Sequence, residues 1–255
     1  MRATLPEAVD SLVGVPKTVL FCTDKQQNGN SAMPHRLYYS PGACSMAAHI
    51  VLEEIGEPFE LELVSSRGRI GGEGTTSPAW MARNPKGRVP ALSGVPGRMG
   101  GSDNLLTELH AILFYLARTH PQALLLPTDP AGEARAIEWM NWLASNVHAM
   151  SYGQIWRANR FVADEHDFAV VQAKGQQNLR EQYAYIEQLL DDGREWALPG
   201  GYSVVDPYLL VFYQWGGRVG LDMKDNYPAW RRLTDKTSQR PAVQRVLAHE
   251  KITLP

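Results

Sequence analysis

Apolar and polar positions follow two rhythms along this chain, and the rhythm changes near residue 131. In the first half, short strand-like runs alternate with helical ones. The run Arg36-Leu37-Tyr38-Tyr39 ends in a Ser40-Pro41-Gly42 turn, after which Met46, Ile50, Val51 and Ile55 recur at roughly helical spacing. Gly56 with Pro58 two residues on supplies a stop. This predicts a strand over 36–39, a turn, and a helix over 43–55. Phe59-Glu60-Leu61-Glu62-Leu63-Val64 alternates apolar and polar, a second strand. Ser65 to Thr76 is Gly-rich and irregular, and Ser77-Pro78 opens a short helix through Met81. Val89-Pro90-Ala91-Leu92 reads as a strand interrupted by proline, which marks an edge or a turn. A last strand is expected over Gly97–Ser102. Leu109, Ile112, Leu113 and Leu116 fall at i, i+3, i+4 and i+7, an amphipathic helix with Glu108 in its first turn. Alternating strand and helix make residues 35–120 an α/β unit.

Pro121, Pro127 and Pro130 punctuate a linker over 121–130, and from Ala131 the strand signal disappears. Met140, Leu143, Ala144 and Val147 form an apolar stripe. Asn141, Ser145 and His148, also at i, i+4 and i+7, form a polar row beside it. On a helix that also carries Trp139 and Trp142, such a row suits a cleft wall or a solvated face. Leu179, Tyr183, Ile186 and Leu190 mark a second long helix. Ser203-Val204-Val205-Asp206 reads as a capping box ahead of a helix whose buried stripe is Val205, Tyr208, Leu209 and Phe212. Two short helices, about 227–237 and 241–249, finish an all-helical domain over 131–255.

The 255 residues suffice for one large domain or two small ones. Lys and Arg (25) nearly balance Asp and Glu (27), and no charge block is long enough to suggest nucleic acid or a membrane surface as partner. Two cysteines, Cys22 and Cys44, are too few for a disulfide scaffold and fit a reducing compartment. No apolar run approaches the roughly 18–20 residues of a membrane span. The run Ser11–Val15, cut by Pro16 and Lys17 and preceded by Glu7 and Asp10, does not read as a signal peptide. These features lead us to expect a cytoplasmic protein.

Cys44 carries the first candidate chemistry. A cysteine in the first turn of a helix faces unpaired N–H groups and the positive end of the macrodipole, and both favour the nucleophilic thiolate. The alternative is a small buried hydrophobe. Glu108 at a helix start is either a favourable dipole partner or a carboxylate for a ligand ammonium.

Leu37-Tyr38-Tyr39-Ser40-Pro41-Gly42-Ala43-Cys44-Ser45 resembles the opening of bacterial beta-class glutathione S-transferases. Asn84-Pro85-Lys86-Gly87-Arg88-Val89-Pro90-Ala91-Leu92, Leu106-Thr107-Glu108 with Ala111-Ile112-Leu113, and Trp139 to His148 are similar to three further signatures of that family, in the same order. The resemblance implies a thioredoxin-like N-terminal domain beside an all-α C-terminal domain, a homodimer, and glutathione as co-substrate. It implies a cis-proline at Pro90, leaving the backbone of Val89 to pair with the cysteinyl unit of glutathione. It places Glu108 and the Leu109 amide at the γ-glutamyl end, Cys44 near the glutathione sulfur, and Asn141, Ser145 and His148 along the cleft. Trp142, Tyr152 and Trp156 would line the site of a small apolar electrophile. The implied activity is a detoxifying transfer of the glutathione thiolate to that electrophile. A glutathione-dependent thiol–disulfide or peroxide reductase using Cys44, or a non-enzymatic binding module of the same fold, are the alternatives.

The chain departs from the family pattern twice. Leu109 stands where the family has Ser or Gly, and no lysine lies between Val64 and Asn84, where Arg67 or Arg69 could supply the charge. The resemblance begins just after Met33, so residues 1–34 are expected to be a loosely attached extension with a short docking strand at Val19-Leu20-Phe21, or Met33 to be the true start. An intact mass of native material distinguishes the two.

Overall fold

A computed structural model describes residues 19–20, 34–66, 73–97 and 104–255. Arg67, Arg69 and Cys22 lie outside the described residues. The first half folds as β1 (Val19–Leu20), β2 (His35–Tyr39), α1 (Ser45–Ile55), β3 (Phe59–Ser65), β4 (Glu73–Gly74), α2 (Pro78–Arg83), β5 (Ala91–Leu92), β6 (Leu106–Thr107) and α3 (Leu109–Thr119). The sheet order is β1-β3-β2-β5-β6, with β4 also on β3. Strands β2 and β3 pair in parallel, Leu37 opposite Leu61, through the crossover helix α1, while β5 and β6 run antiparallel to their neighbours. This is the thioredoxin-like arrangement. Of the expected docking strand, Val19 and Leu20 pair with Glu60 and Phe59, while Phe21 and, apart from Val19, Leu20 and Pro34, the rest of residues 1–34 lie outside the described residues.

Three expectations shift. Helix α1 starts at Ser45, with Cys44 as its N-cap. The strand expected over 89–92 is confined to Ala91–Leu92, because Pro90 offers no N–H to the ladder and follows a cis peptide bond from Val89. The closing strand is Leu106–Thr107, whereas all of Gly97–Ser102 except Gly97 lies outside the described residues.

The second half is helical: α4 (Pro130–Trp142), a wider-wound segment Leu143–Tyr152, α5 (Gly153–Trp156), α6 (Phe168–Leu190), α7 (Val205–Arg218), α8 (Met223–Asn226), α9 (Pro228–Ser238) and α10 (Pro241–Glu250). Asp129 caps α4 through Gly132 N, so this helix begins one residue earlier than expected. The capping box precedes α7: Ser203 Oγ accepts from Val205 N at 3.3 Å, and Asp206 Oδ2 accepts from Ser203 N at 2.7 Å. Asp206 is fully buried, and its other oxygen accepts from Ala197 N.

One core spans both halves. Met46, Ile50 and Val51 of α1, Ile112 and Leu116 of α3, and the nearly all-buried α7 belong to it. Helix α1 packs against α3, α7 and α10, which seats the Cys44 end of the sheet against the helical domain. A smaller cluster on the other sheet face gathers Tyr38, Val64 and Ala91 around Trp80 of α2. No helix among the described residues is long and apolar enough to cross a membrane.

Candidate active site

Three loops of the sheet half, a further stretch with Ser65, Ser66 and Gly74 to Thr76, and two helical segments line a cavity of about 890 Å³ between the halves. The first loop, Gly42-Ala43-Cys44, links β2 to α1. Gly42 adopts φ +63°, and a Cβ there would approach Ile252 Cδ1 to 2.8 Å. The second loop is shaped by the Asn84 side chain, which is buried, donates to Arg88 O at 2.9 Å and accepts from Lys86 N at 3.2 Å. Gly87 is required here: its φ is +58°, and a Cβ would lie 2.7 Å from the Met81 sulfur. This turn delivers Val89 and cis-Pro90 to the wall. The third loop presents Thr107, Glu108 and Leu109. Glu108 caps α3 with φ +73°, a left-handed conformation that a glutamate adopts at a cost, of the kind found where a side chain is held for function.

The charges differ from the expectation. Lys86 Nζ bridges Thr107 Oγ1 at 2.9 Å and Glu108 Oε1 at 2.6 Å. That hydrogen bond, more than any other influence, holds the Glu108 carboxyl below its usual range. Cys44 lines the cavity but is 7% exposed, and its Sγ donates to Val89 O at 3.5 Å. Burial pushes its thiol up to about 12, against the opposing pull of the Cys44 and Ser45 amides. Of the two readings the sequence leaves open for Cys44, burial favours the neutral thiol, because desolvation outweighs the amides.

The polar row on the helical side divides between the cavity and the solvated face. The residue span Leu143–Tyr152 is wound as a π-helix, in which Gly153 N bonds back five residues to His148 O. Ala144, His148 and Ala149 of this segment line the cavity, while Ser145, and Asn141 at the end of α4, are exposed and outside its lining. Ser145 Oγ spends its bond on Asn141 O. His148 packs edge-on to Trp215 at 5.0 Å, and burial holds its imidazole down to about 4, so it is neutral near pH 7. Of the three aromatic residues expected around the electrophile, Tyr152 and Trp156 line the cavity and stand 4.5 Å apart. Trp142 does not, since it packs on Trp139 and donates to Gln182.

A family model for the glutathione S-transferase N-terminal domain matches residues 42–119. The glutathione S-transferase GstA of Escherichia coli O157:H7 is 31% identical over 219 residues, which cover 84% of this chain and 98% of that one. The chain belongs to the glutathione S-transferase family. Among solved transferases, a homologue from Sulfitobacter with bound glutathione superposes at a TM-score of 0.76 with 30% identity, covering 86% of this chain and 99% of its own. A sphingomonad glutathione S-transferase complexed with glutathione gives 0.69 and 31%, covering 86% of this chain and 100% of its own. Within this family frame, sequence reasoning had missed Arg88, Arg157, Arg160, Arg218, Tyr208 and Trp215, all in the cavity wall. Arg88 could have been found, since it lies inside the Asn-Pro signature. The others stand on segments whose periodicity reports packing alone.

Proposed function

We propose that this chain binds glutathione in the cavity between its two halves and transfers the glutathione thiolate to a small electrophile. The observation that carries the reading is convergence: the backbone edge at Val89-Pro90, the Glu108 carboxylate and the N-terminus of α1 all face one cavity of about 890 Å³. Each matches a part of the tripeptide. The Val89 edge suits the cysteinyl backbone, and Glu108 suits the γ-glutamyl ammonium. Lys86 and the Leu109 amide suit the γ-glutamyl carboxylate, in place of the missing serine. At the sulfur, the Cys44 and Ser45 amides and the neutral Cys44 thiol donate to the thiolate, which attacks an electrophilic carbon. His148 is a neutral wall residue in this reading, and Asn141 and Ser145 take no part in binding glutathione within one chain. A neutral, buried Cys44 weighs against the covalent reductase, which needs a reactive thiolate. The reading includes a homodimer in the cytoplasm, for which a sedimentation mass of two chains is expected.

The test is Glu108→Gln. Losing a hydrogen bond between charged groups costs about 1.5–3 kcal/mol. The KM for glutathione should therefore rise about tenfold to a hundredfold, with kcat changed far less. An unchanged KM would remove Glu108 from the glutathione site.

A further inference from the structure

The charge of the cavity is out of proportion to that of the chain. The protein has a formal net charge of −2. Its cavity wall, among the described residues, carries five cationic side chains, Lys86, Arg88, Arg157, Arg160 and Arg218, against the one carboxylate of Glu108. Lys86 is matched by Glu108. The four guanidiniums have no carboxylate partner among the described residues. Arg157 reaches the carbonyl oxygens of Trp156 at 2.9 Å and Ser66 at 3.4 Å. Arg218 donates to Gly42 O at 3.2 Å and lies 5.5 Å from the Trp156 ring centre. Burial first, and then the charges of Arg88 and Arg157, lower the Arg160 guanidinium from its ordinary value. Like charges gathered without counter-ions cost stability, and an anionic ligand relieves that cost.

Glutathione does not exhaust this charge. Its thiolate form brings three anionic groups and one ammonium, which leaves two positive charges unmatched. Their position is informative. Arg157 and Arg160 flank a tight turn, Arg160 N bonding to Arg157 O at 2.9 Å, with Ala158 buried beneath it. The turn follows directly on Trp156, and both arginines line the same cavity as Tyr152, Trp156 and Trp215, Arg157 reaching across to Ser66 O. A planar apolar body with an anionic end fits both features.

We propose that the second substrate is an anionic electrophile, an aromatic or conjugated carbon centre bearing a carboxylate that Arg157 and Arg160 hold. This rests on the glutathione-transfer reading and narrows its substrate. With an aryl chloride, the glutathione sulfur forms a C–S bond as the C–Cl bond breaks. Chloride leaves with the bonding pair, and the thiol proton goes to solvent.

The experiment compares a chlorodinitrobenzene with the corresponding chlorodinitrobenzoate, each kcat/KM divided by its uncatalysed rate with glutathione. The benzoate should be favoured about tenfold at low salt, the ratio falling as salt screens the guanidiniums. Arg160→Gln should pull the ratio towards one, and Arg160→Lys should recover part of it. A wild-type ratio at or below one overturns the proposal. So does an Arg160→Gln variant that slows both electrophiles equally, which would mean that the guanidinium meets charge developing in any transition state. A higher KM for glutathione at an unchanged ratio would assign Arg160 to glutathione and also overturn it. Calorimetry with glutathione alone tests the underlying reading separately. Where glutathione binds but neither electrophile turns over, the affinities of the two preformed glutathione conjugates decide: tighter binding of the carboxylated one supports the proposal, and equal binding overturns it.

Discussion

At Cys44 a helix N-terminus and desolvation pull the thiol in opposite directions. The amides of Cys44 and Ser45 favour the thiolate, yet burial prevails and raises the thiol to about 12. A group so raised stays protonated through the whole physiological range, and its thiolate fraction grows about tenfold per pH unit until the pKa is passed. In a Cys22→Ser background, alkylation of Cys44 should therefore climb without levelling between about pH 7 and 10. A plateau below about pH 8 would mean that the amides win after all. The same reasoning predicts that Cys44→Ala keeps measurable conjugating activity, lowered about tenfold to a hundredfold, the scale of one hydrogen bond to a charged acceptor. Complete loss of turnover would point to covalent chemistry at this sulfur.

Two elements show how local rules and tertiary demands divide the work. The cap of α7 is local: Ser203 and Asp206 satisfy each other and the backbone at the spacing the sequence displays. Asp206 does more than a surface cap, because it accepts three hydrogen bonds while fully buried, including one from Ala197 N at 2.8 Å. Burial raises its carboxyl to about 6 against those donors. Asp206→Ala would orphan the donors, and a loss of about 3 kcal/mol is expected in denaturant unfolding. A loss under about 1 kcal/mol would mean that water replaces the carboxylate. The sign of the pH effect follows from the raised pKa. The folded state holds this proton more tightly than the unfolded chain, so the stabilisation is present in acid and fades as pH rises through about 6. The segment after α4 behaves differently. Its sequence keeps a 3.6-residue rhythm through Val147, but the backbone widens into a π-helix. Within that widened segment, of a kind common at functional sites, His148 lines the cavity and Ser145 does not.

For the molecule as a whole, the notable link runs from the last helix to the loop that carries Cys44. Glu250, at the end of α10 and buried, accepts from Gly42 N at 2.7 Å and from His49 Nδ1 at 2.9 Å. From the other side, Trp215 Nε1 donates to Gly42 O at 2.8 Å. Gly42 is thus held through both backbone groups by residues more than 170 positions away, and Cys44 follows two residues later. Glu250→Ala should loosen the loop, raising the KM for glutathione about tenfold, equivalent to about 1.4 kcal/mol, and lowering the Tm. A lower Tm with an unchanged KM would reduce the contact to simple packing of α10.

The sequence by itself determined the main helices, the strands β2 and β3, and their order. The stripes Leu109-Ile112-Leu113-Leu116 and Leu179-Tyr183-Ile186-Leu190 are buried as their spacing requires. Glycines, prolines and caps set most boundaries, because these signals are written in backbone geometry a few residues long. The signatures at Cys44, Pro90 and Glu108 located the family and one wall of the cavity for the same reason. Only the tertiary structure decided the state of those groups. The protonation of Cys44 depends on how much water surrounding elements remove, and the pairing of Glu108 depends on Lys86 from another loop. The guanidinium cluster joins residues 88, 157, 160 and 218, which no periodicity connects. Electric fields and desolvation sum over everything within a few ångströms in space, whatever the separation along the chain.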